Sequence, residues 1–346
     1  MYALINAADC TSWRSVLSHF GEIDCTYLPE YHLAYSLRIK NSEALLWHFT
    51  SGNEHFIYPF LLTPVMIADK PTGHYDISGI YGYTGPIATT RDTHFLKTSW
   101  QAFDAYTAEK NIITEFVRFS PFNKNEVFAH PDTKVEANRT LAASILPKTE
   151  GELLSLLGSK TRNMLRKAER EGLTARELSL PEYLPAFRHL YADTMTRNNA
   201  PEFFWYDDAY WNHMLSLGKN GLRLFGAFAG ENLVAVSMAV VHGICGLYHL
   251  GASLPEYARL GAGNLSLFAM SRALMESGIT FVNMTGGRST AADDPLLLFK
   301  KSNATSTATF YIGKRIIDTA AYAHMVDEWK QHTGIAPDSA KIIFWR

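Results

Sequence analysis

The sequence predicts an α/β protein with two similar domains in tandem, and three observations support this fold class. The chain has 346 residues, which is too long for one small hydrophobic core. Segments with strand character alternate with segments that have helical apolar periodicity. Residues 81–121 and 247–288 also share one pattern, a glycine-rich strand followed by a helix and a second strand, although the residues themselves differ.

The composition is that of an ordinary globular protein, with 47% hydrophobic and 19% charged residues. A formal net charge of −2 argues against a globally basic nucleic-acid-binding protein but leaves room for a local basic patch. Cys10, Cys25 and Cys245 form no C-x-x-C motif, so we expect neither a disulfide framework nor a structural zinc site. The thirteen histidines show no metal-binding spacing, and we expect no metal.

The expected location is the cytoplasm. The N-terminus has no basic segment followed by an apolar one, so we expect no signal peptide. Leu233 to Ala252 is about as long as a membrane span, but His242 and Gly243 interrupt it. Two β-rich runs flank this dipeptide, so a hairpin is the better interpretation and we expect no transmembrane segment.

The first predicted domain comprises residues 1–147. Its apolar patterns indicate a short helix near residues 12–20 and strands at residues 33–39, 43–49 and 55–62. After a glycine-rich segment, a helix at about residues 92–110 places Phe95, Trp100 and Phe103 on one side. Strands at residues 112–121 and 139–146 complete this domain.

The second predicted domain comprises residues 148–346. Thr149 and Glu152 form a capping box that opens a helix. The remaining predicted elements are helices at residues 159–171, 181–199, 207–217 and 318–332, a hairpin at residues 233–250, and a final strand at residues 341–345.

Residues 246–315 are the stretch around which this second domain is organised. A strand ends at Gly251, and a periodic helix follows Gly261 and Gly263. This helix stops at Gly278, and the next strand opens into the polar loop Thr285–Ser289. A strand–helix–strand unit with glycines at the strand ends is where α/β proteins usually hold a ligand.

Four stretches, which follow one another in order, carry a resemblance to a known family. They are residues 80–86, IYGYTGP; residues 158–172, GSKTRNMLRKAEREG; residues 248–265, YHLGASLPEYARLGAGNL; and residues 285–302, TGGRSTAADDPLLLFKKS, which lead into FYIGKR at residues 310–315. With these stretches the chain resembles the FemABX-like aminoacyltransferases and their relatives in the GNAT acyltransferase superfamily. The resemblance implies two tandem GNAT-like domains, with the active site carried by the C-terminal one.

The resemblance also implies an N-acyltransferase that forms an amide on a primary amine of a cell-envelope precursor. We expect aminoacyl-tRNA as the acyl donor, no tightly bound cofactor, and a nucleotide-linked or lipid-linked acceptor. One alternative is an acyl-CoA-dependent N-acyltransferase that acts on an amino sugar nucleotide. Another is a non-catalytic GNAT-like protein that binds a glycan or a nucleotide.

Amide formation requires a stabilised oxyanion and a deprotonated amine, which points to two groups of catalytic candidates. The resemblance directs attention to Lys300 and Lys301 as the source of a cation at the oxyanion. If this segment is strand-like, only one of the two lysines faces the site, and we favour Lys301. Asp294 is the candidate base or ammonium-binding carboxylate, although adjacent loop carboxylates are more often solvated or cap a helix.

Other candidates bind the substrate or the donor. Arg288 follows two glycines and either grips a phosphate or pairs with a neighbouring aspartate. Arg162 belongs to a basic stripe that suits a phosphate-rich ligand or is simply a solvated face. The expected substrate-binding residues are Gly286, Gly287, Arg288, Tyr248, Tyr257 and Arg162.

Gly261, Gly263 and Asn264 are the expected cofactor-binding residues. They occupy the place of the pyrophosphate loop of GNAT enzymes, which the resemblance describes as [QR]-x-x-G-x-[GA]. Ala258 stands where that motif has Gln or Arg, with Arg259 one place later. Use of CoA is therefore possible, but the motif is incomplete.

Overall fold

The computed structural model describes residues 1–289, 291–338 and 340–346. Its strands are β1 Tyr2–Asn6, β2 Glu43–Ser51, β3 Glu54–Ile67, β4 Lys70–Ser78, β5 Ile87–Ala88, β6 Ile112–Arg118, β7 Lys134–Ile145, β8 Leu173–Leu178, β9 Leu222–Ala229, β10 Asn232–His242, β11 Cys245–Ser253, β12 Phe281–Thr285 and β13 Ser306–Ile316. Its helices are α1 Cys10–Leu17, α2 Pro29–Ser36, α3 Thr93–Glu109, α4 Glu150–Leu156, α5 Ser159–Arg170, α6 Leu180–Arg197, α7 Asp208–Leu215, α8 Gly218–Gly221, α9 Pro255–Ala258, α10 Ala262–Glu276, α11 Pro295–Ser302 and α12 Thr319–Thr333.

The described chain divides into two compact units. Unit 1 contains Met1–Gly21, Thr26–Asn138 and Phe310–Arg346, and unit 2 contains Glu22–Cys25 and Arg139–Thr309. These boundaries differ from the predicted ones at residues 147 and 148, because the C-terminal segment groups with the N-terminal one. The physical cause is strand pairing, since residues 312–316 of β13 pair with residues 114–118 of β6.

Unit 1 is built on a mixed sheet. Strands β1, β2, β3 and β4 pair antiparallel in chain order. β4 then pairs parallel with β6, and α3 forms the crossover between them. The predicted apolar side of α3 is buried, with the Phe103 ring 5.2 Å from that of Trp47 and the Trp100 ring 5.0 Å from that of Phe56. Burial of these aromatic side chains is the main driving force for this unit.

Unit 2 repeats the same arrangement. Strands β8, β9, β10 and β11 pair antiparallel, β11 pairs parallel with β12, and β12 pairs antiparallel with β7. The crossover helix α10 buries Leu267, Met270 and Leu274 in a core that also contains Val282 and Met284. The repeated strand–helix–strand pattern thus corresponds to a parallel strand pair with a helical crossover in each unit.

The apolar run near residue 242 forms the predicted hairpin, because β10 and β11 pair antiparallel with His242 opposite Cys245. No helix in the described part of the chain combines the length and the apolarity needed to cross a membrane.

Two predicted strands are absent from the structure, within the residues that it describes. Residues 33–39 overlap α2, which begins with Pro29 at its first position and is almost entirely buried. A continuous apolar run does not distinguish a buried helix from a strand. Residues 341–345 form no strand either, and Phe344 and Trp345 instead pack on Val65, Ile67 and Ile113.

Candidate active site

Unit 2 contains a pair of parallel strands that separate part of the way along their length. β11 pairs with β12 only over residues 245–247, which lie opposite residues 281–283. β11 itself continues to Ser253 beside β10. Strand edges that part in this way present backbone N–H and C=O groups to whatever lies between them.

The separation coincides with an irregularity in β11. Met238 lies opposite Leu250 and the next residue, Ala239, lies opposite Tyr248, so that His249 is an extra residue. Such a bulge bends a strand and redirects its side chains. Tyr248 therefore lies at the point where β11 leaves β12.

Lys300 brings a buried ammonium group to this opening. The side chain extends from α11, and the residue is only 8% exposed. Its Nζ donates hydrogen bonds to the Thr285 hydroxyl and, at 3.0 Å, to the Gly286 carbonyl oxygen. It also lies 5.4 Å from the centroid of the Tyr248 ring, within range of a cation–π interaction.

The environment of Lys300 lowers its pKa from the usual value to about 7, because burial disfavours the charged form. The nearby Asp294 carboxylate opposes this shift. An ammonium group has three N–H donors, and two protein acceptors account for two of them. Within the described residues the third N–H has no acceptor, so it is available to an oxygen of a ligand.

Thr285 holds its hydroxyl at Lys300 with an unusual backbone conformation. Its φ is +64°, in the left-handed region that disfavours β-branched residues. Strained residues of this kind persist only where the surrounding structure holds them, and they cluster at functional sites. The strain therefore marks the end of β12 as a candidate site independently of Lys300.

Asp294 is the N-cap of α11. Its carboxylate accepts hydrogen bonds from the backbone N–H groups of Arg288, Ser289, Leu296 and Leu297 and from the Ser289 hydroxyl. These bonds, of which that from the Leu297 N–H has the largest effect, lower its pKa to about 2. So acidic a carboxylate is a poor base, and the geometry assigns Asp294 to the support of the loop and of α11.

The two predicted glycines differ in what they contact. A side-chain carbon on Gly287 would lie 2.5 Å from the carboxyl carbon of Asp294, so only glycine allows the loop to close on its cap. Gly286 instead supplies the carbonyl oxygen that Lys300 contacts.

The segment that carries the two lysines is helical, and the expectation of a strand-like segment is wrong. Asp294 caps it and Pro295 occupies its first position, which is a typical helix start. Neighbouring residues of a helix point about 100° apart, so only Lys300 reaches Thr285 and Tyr248. Lys301, the lysine that we favour for a strand-like segment, is half-buried.

The two tyrosines and Arg288 lie in different surroundings. Tyr248 is 9% exposed, and burial raises the pKa of its phenol to about 12, so the hydroxyl stays protonated at neutral pH. Tyr257, in α9, packs against an apolar cluster that includes Leu165 and Leu265. Arg288 is exposed beside the loop, where only its backbone N–H contacts Asp294.

The loop before α10 packs tightly against neighbouring helices. Gly261 has a φ of +89°, and an added side-chain carbon would lie 2.6 Å from the carbonyl oxygen of Met164 in α5. The amide of Asn264 donates to the side chain of Asn303 at 2.9 Å. The ring of Phe299 lies 3.4 Å from the corresponding position on Gly263. These three residues thus have close protein neighbours at the place expected for a pyrophosphate.

Arg162 also has protein partners. Its guanidinium donates to the carbonyl oxygens of Leu157 and Ser155, at the end of α4. Arg166 and Arg170, one and two helical turns further along α5, are exposed. With Arg162 they make up the predicted basic stripe, of which they are the solvent-facing part, and Lys160 near the start of α5 is exposed as well.

Sequence reasoning missed two features of this region. The sequence presents Thr285 as the start of a polar loop, and a threonine between a strand and two glycines is a signal for a constrained turn. The Tyr210 hydroxyl lies 2.6 Å from Nε2 of His249, the bulged residue of β11. No sequence signal indicated this contact, because the two residues come from separate elements.

Comparison with protein families identifies part of unit 2. Residues 159–293 match a family model described as an acetyltransferase (GNAT) domain. The matched residues all lie within unit 2. A search of curated protein sequences finds no significant match to the chain.

Several solved structures are similar over nearly the whole chain. The FemX crystal structure shares 14% identity, with a TM-score of 0.70 over 94% of this chain and 99% of that one. The C-terminal domain (DUF2156) of a proposed lysylphosphatidylglycerol synthetase from Agrobacterium fabrum shares 14% identity, with a TM-score of 0.57 over 96% of this chain and 99% of its own. L-PGS from Bacillus licheniformis shares 14% identity, with a TM-score of 0.56, over 92% and 96% of the two chains.

At sequence identities this low, structural similarity is evidence for the fold alone. The family match and the similar structures confirm the predicted α/β architecture of tandem GNAT-like domains and the predicted resemblance to the FemABX-like GNAT proteins.

Proposed function

We propose that this protein is an N-acyltransferase whose reaction takes place where β11 and β12 separate. The observation that carries this proposal is the buried ammonium of Lys300, which has one N–H donor left for a ligand. A preorganised cation in a site shielded from water stabilises a developing oxyanion more strongly than it would in solvent. The GNAT domain match supports the reaction class.

In the proposed reaction a primary amine attacks the carbonyl carbon of the acyl donor. The C–N bond forms as the carbonyl oxygen becomes an oxyanion, and the Lys300 ammonium donates its third N–H to that oxygen. The tetrahedral intermediate then collapses, the bond to the leaving oxygen or sulfur breaks, and the amine proton passes to the leaving group or to solvent. Tyr248 supports the cation with its ring face.

We propose an aminoacyl-tRNA as the donor. The loop before α10 is a poor pyrophosphate site, since the Met164 carbonyl oxygen, the negative end of a dipole, lies against Gly261. The exposed cations of α5, Lys160, Arg166 and Arg170, suit an RNA backbone. One structural neighbour is also described as a synthetase of an aminoacylated lipid.

We propose as acceptor an amine-bearing, nucleotide-linked or lipid-linked precursor of the cell envelope. The similarity to FemX and to a structure described as the C-terminal domain of a lysylphosphatidylglycerol synthetase supports this acceptor. Because charged tRNA is a cytoplasmic metabolite, the proposal places the reaction in the cytoplasm.

Substitution of Lys300 tests the proposal. Lys300→Met keeps the length of the side chain but removes its charge and its N–H donors, so transfer should slow on the order of 10²–10³-fold. Lys301→Met is the matched control and should remain within a few-fold of wild type. The measurement is transfer of radiolabel from a mixture of aminoacyl-tRNAs to nucleotide-linked and lipid-linked precursor fractions.

The same assay separates the alternatives when acetyl-CoA replaces the tRNA donor. Transfer from acetyl-CoA and not from aminoacyl-tRNA would identify acetyl-CoA as the donor. Acetyl-CoA is the second candidate because the matched family is described as an acetyltransferase. Equal transfer by Lys300→Met and wild type would refute the role of Lys300. Binding of a precursor with no turnover of either donor would indicate a non-catalytic protein.

A further inference from the structure

A second cluster of chemically reactive side chains lies in unit 2 apart from Lys300. It consists of Asp24, Cys25 and Cys245, whose carboxylate oxygen and two sulfurs all lie within 4.8 Å of one another. Both cysteines are 0% exposed, and Asp24 is 2% exposed. The sequence shows no zinc motif because residues 25 and 245 come together only through folding.

Asp24 and Cys25 belong to a four-residue segment, Glu22–Cys25, that groups with unit 2, while the residues on both sides belong to unit 1. The carboxylate of Glu22 accepts a hydrogen bond of 3.1 Å from the N–H of Ile244, the residue before Cys245. The cluster is therefore held at the beginning of β11 by a neighbouring backbone contact.

The distances suit a metal ion. In a tetrahedral zinc site, bonds of about 2.3 Å to sulfur and about 2.0 Å to oxygen place these two atoms about 3.5 Å apart. The Cys25 sulfur lies 3.6 Å from Oδ1 of Asp24. Two sulfurs and one carboxylate oxygen are ligand types that zinc accepts, and they would fill three of its usual four positions.

The position of the Asp24 carboxylate favours a metal site over a Cys25–Cys245 disulfide. Two adjacent sulfurs alone would suit either, and both would remove the S–H group that Cys25 directs at Asp24. A metal ion would replace that hydrogen bond with a bond to the Asp24 carboxylate, whereas a disulfide would not. A divalent cation would pair with two thiolates and a carboxylate, all of them buried.

We propose that Asp24, Cys25 and Cys245 form a structural site for a thiophilic divalent cation such as Zn²⁺. Binding forms two metal–sulfur bonds and one metal–oxygen bond, and the two thiol protons pass to solvent. The ion links the 22–25 segment to Cys245, where β11 begins its pairing with β12 opposite Phe281. It stabilises the closed end of the strand pair that opens at Tyr248.

Metal content tests this proposal. Protein expressed with added zinc, then desalted, should retain about one zinc per chain by mass spectrometry of the metal. Cys25→Ser and Cys245→Ser should each lower the retained zinc at least tenfold. Cys10→Ser, which removes the cysteine outside the cluster, is the matched control and should bind like wild type. Cobalt in place of zinc should give a thiolate-to-metal absorption band that is lost in the same two variants.

A wild-type protein that retains no zinc and shows no cobalt band would overturn the proposal. So would full retention by Cys245→Ser, or an intact mass showing a Cys25–Cys245 disulfide in protein purified with zinc. If the serine variants do not fold, wild-type protein answers the question. Its melting temperature should fall on chelation and recover with Zn²⁺, and no change in either step counts against the site.

Discussion

The protonation of Lys300 decides how the candidate site behaves at different pH values. Its pKa is lowered to about 7 by burial, so the ammonium form predominates below neutral pH and is lost above it. A lysine that acted as a base would need the opposite form. The sign of the pH dependence therefore distinguishes the two roles.

We predict that kcat/KM for acyl transfer falls as the pH rises through about 7, tenfold per pH unit once Lys300 is deprotonated. The measurement needs an acceptor amine that stays unprotonated over the range, so that its own titration does not contribute. Lys300→Arg stays charged throughout and should lose this alkaline decrease, whatever its absolute rate. A wild-type profile that rises through pH 7 would identify Lys300 as a base instead.

Asp294 has the geometry of a helix cap, which is one of the alternatives that the sequence leaves open. Its hydrogen bonds and its pKa of about 2 make it the cap of α11, and this cap orients the helix that presents Lys300. An Asp-Pro start was readable in the sequence as a helix signal. A helix at this position places Lys300, and not Lys301, at Thr285. A strand-like interpretation of the segment does not predict which of the two lysines faces the site.

The parallel strand pairs of the two units end differently. In unit 1, the Gly79 N–H donates to the Phe116 carbonyl oxygen at 3.0 Å, and the Thr84 N–H donates to the Arg118 carbonyl oxygen at 2.9 Å. Residues 79–84 thus occupy the place where β4 and β6 would separate. In unit 2 the Lys300 ammonium lies at the corresponding place, beside Thr285 at the end of β12. The repeated parallel strand pair is therefore closed by backbone in unit 1 and carries the candidate site in unit 2.

The glycine before α10 offers a prediction at the scale of this element. Gly261→Ala should destabilise the protein more than Gly278→Ala, which alters the other end of the same helix. Both glycines have positive φ values, +89° and +86°, so each alanine incurs about 1–2 kcal/mol of backbone strain. Only at position 261 would the methyl group also collide with the Met164 backbone, while position 278 is open.

Urea denaturation of both variants measures this difference. Equal losses in the free energy of unfolding would mean that α5 moves away from residue 261 at no measurable cost. The loop before α10 would then again be a candidate anion-binding site.

At the scale of the whole molecule, both ends of the chain contribute to unit 1. β13 pairs with β6, and Trp345 donates a 2.8 Å hydrogen bond to the buried carboxylate of Asp76. Arg346 pairs with the same carboxylate at 2.7 Å. Removal of these partners would leave a buried charge unpaired, which typically destabilises a protein by about 3–5 kcal/mol.

We predict that a fragment of residues 1–147 does not fold on its own. The same N-terminal part, residues 1–138, joined to residues 310–346 by a flexible linker should unfold cooperatively on heating. Circular dichroism and resistance to limited proteolysis measure the two fragments side by side. A cooperative transition in the 1–147 fragment would show that the C-terminal segment is dispensable for unit 1.

The α/β class, the two strand–helix–strand repeats, the hairpin at residue 242 and the stretch that carries the candidate site could all be predicted from the sequence. These features depend on periodicity and on glycine positions, which are local properties. Three features required the folded structure: Lys300 reaches the opening, Cys25 meets Cys245, and the C-terminal segment returns to unit 1. Each depends on which faces of distant elements pack together, and periodicity within one segment carries no information about its partner.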